Sequence, residues 1–335
     1  MKKIINDPEN FEREMLEGIC AAYGDKVGLL EDDPKVLVSK YPVRDGKVGI
    51  VTLGGSGHLP VFLGYVGQGM LDACAVGNVF ASPSAKVMTD AIRYADHGNG
   101  VLCLYGNYGG DKLNTAMARE EADFDDIETA EVIVADDICS SPVETKENRR
   151  GVAGMVYAFK IAGASADNGD DLQTVAANAE KALANIRTMG AALTPCIVPR
   201  AGEPGFTIGD DEIEIGMGIH GEPGIEVRKM ITADELAETL FAPINAELQL
   251  GEGDECSVMI NGLGATPLEE QFILYRKIAQ LIEGCGASIV MPHVGEFATS
   301  MEMAGVSLTI FKLDAQLKEL LLQDANTPFY TTANK

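Results

Sequence analysis

Four histidines punctuate the 335-residue chain, at positions 58, 97, 220 and 293, and two of them stand in glycine-rich turns. His220 lies within Gly216-Met-Gly-Ile-His-Gly-Glu-Pro-Gly224, and His58 within Gly54-Gly-Ser-Gly-His-Leu-Pro60. Flanking glycines hold an imidazole on a turn and let the backbone come close to a small ligand. A ring displayed in this way can serve as base, metal ligand or nucleophile. His97 and His293 lack such a setting and read as structural or surface residues. Asp111 closes another glycine-rich run, Gly106-Asn-Tyr-Gly-Gly-Asp111, directly behind an apolar strand pattern. A carboxylate there either caps the next helix or faces a cleft as a general base. Asp136 and Asp137 follow a further strand pattern and read as strand-end caps.

Other chemistries fit the spacing less well, and of these a hydrolase built on Ser56, with His293 and an aspartate completing a triad, stays open. Gly216-x-Gly218-x-x-Gly221 satisfies the dinucleotide fingerprint in letters, but Glu-Pro-Gly follows it and no helix signal appears before Thr232. That fingerprint works by setting a helix N-terminus against a pyrophosphate. Gly54-Gly-Ser-Gly-His58 approaches the nucleophile elbow of hydrolases with Ser56 as nucleophile, yet His58 replaces the small residue the tight turn requires. The only Gly-Lys pair, Gly46-Lys47, has Tyr41 and Val48 where a phosphate loop needs glycine and a hydroxyl. The seven cysteines are scattered singly, without zinc spacing, and read as reduced thiols.

These residues need strands that end in turns. Helix periodicity covers Phe11 to Tyr23, Gly151 to Ala164, Leu172 to Met189, Ala233 to Ala246 and Leu268 to Glu283. Strand patterns cover Lys47 to Leu53, Val101 to Tyr105, Ala130 to Ala135, Glu212 to Ile219, Cys256 to Ile260, Ser288 to Met291 and Ser307 to Leu313. Strands that run into glycine loops before helices predict an open α/β fold with its site at the strand ends. Length predicts two domains, and the proline- and glycine-rich stretch from Gly190 to Gly209 is the expected boundary region. Residues 1–190 then carry His58 and Asp111, and residues 191–335 carry His220. A net charge of −25 disfavours nucleic acid and anionic membrane as partners. No run approaches the ~20 apolar residues of a membrane helix, and the N-terminus lacks an apolar signal segment, so a cytoplasmic protein is expected.

Seven motifs occur in one order: Gly55-Ser-Gly-His58 with Pro60, Gly64-Tyr-x-Gly-Gln-Gly-Met70, Phe80-x-Ser-Pro83, Asn107-Tyr-x-Gly-Asp111, Arg149-Arg-Gly-Val-Ala153, Gly218-Ile-His-Gly-Glu-Pro-Gly224 and Asn261-x-Leu-Gly-Ala-Thr-Pro267. Together they resemble the substrate-binding subunits of dihydroxyacetone kinases, the DhaK family, over nearly the full length. The resemblance implies two α/β domains with open mixed sheets flanked by helices. It implies that His220 attacks a ketone carbonyl to form a covalent hemiaminal, which selects ketones over polyols such as glycerol. Asp111 is then the base for the terminal hydroxyl, His58 hydrogen-bonds the substrate and assists, and Gly55, Ser56 and Gly57 let the main chain approach it. The resemblance further implies no cofactor on this chain, ADP or ATP with magnesium on a nucleotide-binding partner (DhaL-like), an indirect phosphohistidine donor of the sugar phosphotransferase system, and a homodimer. Some paralogues bind dihydroxyacetone only to activate a transcription regulator.

The sequence departs from the family pattern at three places. Gly106 replaces a lysine often found before Asn-Tyr, Leu53 a glycine, and Leu59 a glutamate. The expected result is a site with fewer charged groups and more apolar bulk, and with room at Gly106 for a ligand larger than dihydroxyacetone, such as erythrulose.

Overall fold

The computed structural model describes residues 2–333. The chain forms two compact units: one runs through Val134 and adds Met155–Ala182 and the segment from Leu317 onward, and the other comprises Ala135–Gly154 and Leu183–Gln316. The first unit opens with α1 (Phe11–Ala22), β1 (Val27–Leu29), β2 (Val36–Ser39), β3 (Gly49–Ser56) and β4 (Ala73–Val79). It continues through α2 (Ala85–Ala95), β5 (Val101–Gly106), α3 (Gly109–Phe124), β6 (Thr129–Val134), α4 (Met155–Asn168) and α5 (Leu172–Ala184). Its six-stranded sheet has the order β1-β2-β4-β3-β5-β6. Strands β4, β3, β5 and β6 run parallel, whereas β2 and β1 pair antiparallel at one edge. All eight residues of β3 are buried, as a parallel strand covered on both faces requires. Val51, Leu53, Cys103 and Tyr105 pack on one side with Met88, Ala91 and Ile92 of α2 and Ala118 of α3. Helix α4 lies against β3 and β5 as well.

In the second unit follow β7 (Ile186–Ala192), β8 (Glu212–Ile215), β9 (Glu226–Lys229), α6 (Ala233–Leu248), β10 (Glu255–Gly262), α7 (Leu268–Gly284), β11 (Ser288–Glu296) and β12 (Gly305–Leu313). Their order is β11-β10-β12-β7-β8-β9, with β10 and β11 parallel and every other pair antiparallel. The core lies between this sheet and α6 and α7, where Met189, Ile213, Val258, Leu308 and Ile310 meet Leu240, Ile244, Leu274 and Ile278. Thr232 begins α6 with a capping box closed by Glu235, which fixes the helix start that the sequence placed there.

Two expectations change. The helix pattern from Leu172 to Met189 ends at Ala184, and Ile186 to Met189 belong to β7. A division after residue 190 therefore falls inside a strand. The stretch from Ala135 to Gly154 also belongs with the second unit, because its charges are spent there. Asp136, buried, accepts the backbone amides of Val152 at 2.8 Å and Gly154 at 2.7 Å and the Thr188 hydroxyl. Arg149, 1 % exposed, forks onto Glu247 of α6 at 2.9 and 2.6 Å, and Arg187 of β7 reaches the same carboxylate at 2.6 Å.

Removing one member of such a pair leaves a buried charge and typically costs 3–5 kcal/mol. Arg149→Met is expected to lower stability by about 3 kcal/mol, read as a fall in the urea midpoint. Arg149→Lys, which keeps a cation facing Glu247, should lose less, and an unchanged midpoint in Arg149→Met would contradict the pairing. His293 of β11 gives a pH signature. It is 7 % exposed with its ring edge-on to Phe297, and burial pushes its pKa down to about 4 against a small opposing effect of the Met291 backbone. The folded pKa lies below the unfolded one, so its contribution is complete above about pH 6.5 and is lost as pH falls toward the folded value. The stability difference between the wild type and His293→Asn should shrink by up to roughly 3 kcal/mol on acidification across that window. A difference that stays constant with pH would show that His293 does not titrate this way.

Candidate functional site

The parallel strands of the first unit bring their carboxyl ends side by side, and three turns leave from there. Strand β3 runs on through Gly54 and Gly55 into Gly57 and His58. His58 is 1 % exposed, stacked on Phe80 with centroids 4.7 Å apart and planes at 25°, and edge-on to Phe62 at 6.1 Å. Both phenylalanines sit at positive φ, 56° for Phe80 and 70° for Phe62, a conformation that costs about 1–3 kcal/mol in a non-glycine residue. The glycines make this box possible. A Cβ on Gly54 would stand 2.3 Å from the Phe62 ring, and one on Gly57 (φ +100°) would stand 2.8 Å from Phe80. Ser56 is buried and donates its hydroxyl to the Gly77 carbonyl at 2.7 Å. That bond ties β3 to β4 and turns Ser56 away from the nucleophile role of a hydrolase elbow.

Asp111 sits in the first turn of α3 and is 5 % exposed. It is not the helix cap, which is Tyr108. A carboxylate in a first turn is favoured by the helix dipole. The loop leaving β4 braces this turn: Asn114 donates to the Pro83 carbonyl at 2.6 Å, and a Cβ on Gly110 would stand 2.6 Å from Ser82 Oγ. Thus Phe80 and Pro83 of one loop bind the His58 turn and the Asp111 turn to each other.

The departures from the family pattern fall differently from expectation. Leu53 is fully buried in the core against α2, so it adds bulk to the core and not to the site. At Gly106 no room is opened, because a Cβ there would already stand 3.0 Å from the Tyr108 ring and 3.3 Å from Met155 Sδ. Leu59, next to His58, is half-buried.

His220 belongs to the second unit, on the turn between β8 and β9. Its side chain is 23 % exposed, and its Nδ1 lies 2.8 Å from Glu222 Oε1. The His220 backbone N–H donates to Glu222 Oε2 at 2.9 Å. Burial raises the pKa of Glu222, but hydrogen bonds and charge from His220 outweigh it and hold the value down to about 2. Arg150 anchors the base of the turn through the Gly216 carbonyl at 2.9 Å and Asp137 at 2.8 Å. Burial pushes Asp137 up to about 6 despite that arginine. No helix follows Gly221, so the dinucleotide reading fails here on structure as it does on sequence. The sequence reading gave no role to Glu222, Phe62 or Phe80. Glu222 stands two residues after His220 in the quoted motif, and that spacing was the available signal.

The family model described as the Dak1 domain matches residues 17–329. The dihydroxyacetone-binding subunit DhaK of PTS-dependent dihydroxyacetone kinase 1 from Listeria innocua is 44% identical, over 94% of this chain and 95% of that one. The L-erythrulose kinase of Pectobacterium atrosepticum is 42% identical over 98% of this chain, which spans 56% of that enzyme. Among solved structures, the dihydroxyacetone kinase operon co-activator Dha-DhaQ superposes with a TM-score of 0.89 at 31% identity, covering 96% of this chain and 98% of that one. The dihydroxyacetone kinase from C. freundii in complex with AMP-PNP and Mg2+ gives 0.90 at 31% identity, covering 99% of this chain and 61% of that one. No helix among the described residues is long and apolar enough to cross a membrane.

Proposed function

This chain belongs to the Dak1 domain family, and from that premise we propose that it is the ketose-binding subunit of a dihydroxyacetone-type kinase. His220 captures a short ketose as a hemiaminal, and the terminal hydroxyl of that ketose receives a phosphoryl group from a nucleotide held by a partner subunit. The observation that carries this reading is the His220 turn, where a partly exposed ring is gripped at Nδ1 by a carboxylate. A ring oriented from one nitrogen presents the other to an electrophile, the logic by which an aspartate orients a catalytic histidine. An alcohol has no carbon that Nε2 can attack, so glycerol is refused by chemistry and not by fit alone.

Asp111 accepts the proton of the attacking hydroxyl, which suits a carboxylate held at a strand end in the first turn of a helix. His58 hydrogen-bonds the substrate from the box formed by Phe62 and Phe80, beside the glycines at positions 55 and 57. The nucleotide, ADP or ATP with magnesium, belongs to a second subunit. The Listeria relative's name as a dihydroxyacetone-binding subunit supports that division, and so does a solved dihydroxyacetone kinase that holds AMP-PNP and Mg2+. The Listeria relative's PTS-dependent name supports recharging by a phosphohistidine protein. A second reading, a ketose-sensing co-activator, is favoured by the co-activator's match over 98% of its own chain.

Dihydroxyacetone labelled with 13C at its carbonyl tests both steps. Its signal should move from the ketone to the tetrahedral range on the wild type and stay in place on His220→Ala. An equal shift in both would end the covalent reading. Asp111→Asn should keep the tetrahedral signal and lose phosphorylation, supplied by a nucleotide-bearing subunit, by roughly 10²-fold or more. A wild type that forms the adduct with no phosphorylation by any such subunit would favour the sensor.

A further inference from the structure

Both oxygens of Glu222 are committed to one residue: Oε1 to the His220 ring nitrogen Nδ1, and Oε2 to the His220 backbone N–H. The turn is built to hold this grip. A Cβ at Gly218 would stand 2.1 Å from Glu222 Oε2 and 2.6 Å from Arg150 Nη1, so a side chain there would push both groups from their present positions. Gly221 has a φ of +83°, open to glycine at no steric cost. Arg150 Nη1 stands 4.0 Å from Oε2, while the same guanidinium holds Asp137 and the Gly216 carbonyl.

We propose that Glu222 is the positioning residue that sets the tautomer of His220, keeping the proton on Nδ1 and the lone pair on Nε2. The proposal deepens the covalent reading of His220 and rests on it for its catalytic meaning. An ionised carboxylate only accepts hydrogen bonds, so the ring nitrogen facing it must donate. Nε2 then attacks the ligand carbonyl carbon: its lone pair forms the N–C bond, and the C=O pair moves onto oxygen, which takes a proton from water. The ring becomes cationic, its Nδ1–H remains on the Glu222 carboxylate, and the carboxylate stabilises the charge that has formed. Arg150 and Asp137 hold the turn on which this contact depends.

Glutamine at this position makes a sharp test, because it matches the shape and reverses the polarity. The His220 backbone N–H can only donate, so the amide oxygen of the new side chain takes it. The amide NH2 then faces Nδ1, which must accept, and the ring proton moves to Nε2, where it blocks attack. In 15N-histidine-labelled protein, with the His220 signals identified by comparison with His220→Ala, the wild type should show a protonated Nδ1 and Glu222→Gln a protonated Nε2. Adduct formation with 13C-carbonyl dihydroxyacetone should slow by about 10²-fold in Glu222→Gln. That is less than the ~10⁴-fold loss when the buried triad aspartate becomes asparagine, since Glu222 is 31 % exposed. Glu222→Asp keeps an acceptor-only group and should retain the wild-type tautomer and react faster than Glu222→Gln, a rescue that a purely structural role would not produce. A wild type protonated at Nε2, or an unchanged tautomer in Glu222→Gln, would overturn the proposal. The 15N measurement needs no ligand, so a wild type that forms no adduct would refute covalent capture while the tautomer assignment still stands or falls by itself.

Discussion

Around the carboxyl end of β3, positions 54, 55 and 57 have no space for side chains, and the arrangement of the His58 turn follows from that. At Gly55 a Cβ would stand 2.7 Å from the Ala81 backbone nitrogen, and at Gly54 and Gly57 it would enter phenylalanine rings. With the space left empty of side chains, the backbone of β3 lies close enough to the loop after β4 for Phe80 to stack on His58. Phe62 and Phe80 both accept a left-handed backbone to reach that position. Their strain, of about 1–3 kcal/mol each, is opposed by burial of ring surface, which stabilises by a comparable amount for each aromatic. His58 is thus held by shape, stacked on Phe80 and edge-on to Phe62.

The second unit uses charge where the first uses shape. Its segment from Ala135 to Gly154 is interposed in the chain between β6 and α4, and it contributes no regular strand to hold it. Asp136 caps the returning backbone, Arg149 locks the segment to α6, and Arg150 extends to the His220 turn. Burial raises the pKa of Asp136 even though it accepts several hydrogen bonds, which shows how deeply this carboxyl is enclosed. The adjacent residues of the Arg149-Arg150 pair therefore divide two tasks. One holds the segment in place, and the other passes that rigidity to the loop that carries the imidazole.

The sequence made the apolar strands and their glycine turns legible because their signals are local. β5 was expected as Val101 to Tyr105 and extends only to Gly106, and α7 matched its pattern to within a residue. Strand β4 and helix α2 were not anticipated. Ala73-Cys-Ala-Val-Gly-Asn-Val79 is a run of small residues whose strand character comes from burial between β2 and β3, a tertiary effect. The end of the helix at Ala184 was hidden for a similar reason: Ile186 to Met189 fit helical spacing, and pairing with β12 decides for strand. Among candidate site residues, His58, Asp111 and His220 were marked by flanking glycines. Glu222 was marked only by its place two residues after His220, and its contacts with that residue close within the turn.

The three departures from the family pattern seemed at sequence level to act together on the ligand, and the structure separates them. Leu53 exchanges freedom of the strand for core packing and is shielded from any ligand by burial. Gly106 loses a cation, but the volume where a side chain would begin is filled by Tyr108 and Met155. Tyr108 belongs to the shared Asn-Tyr motif, so the change at Gly106 removes an ammonium without adding a ring or opening space. Gly106 therefore supplies no added space at that position. The side chains that stand at the turns are Tyr108, near Asp111 in the chain, and Leu59, next to His58. Both are half-buried, so each keeps part of an aromatic or aliphatic surface that contact would remove from water.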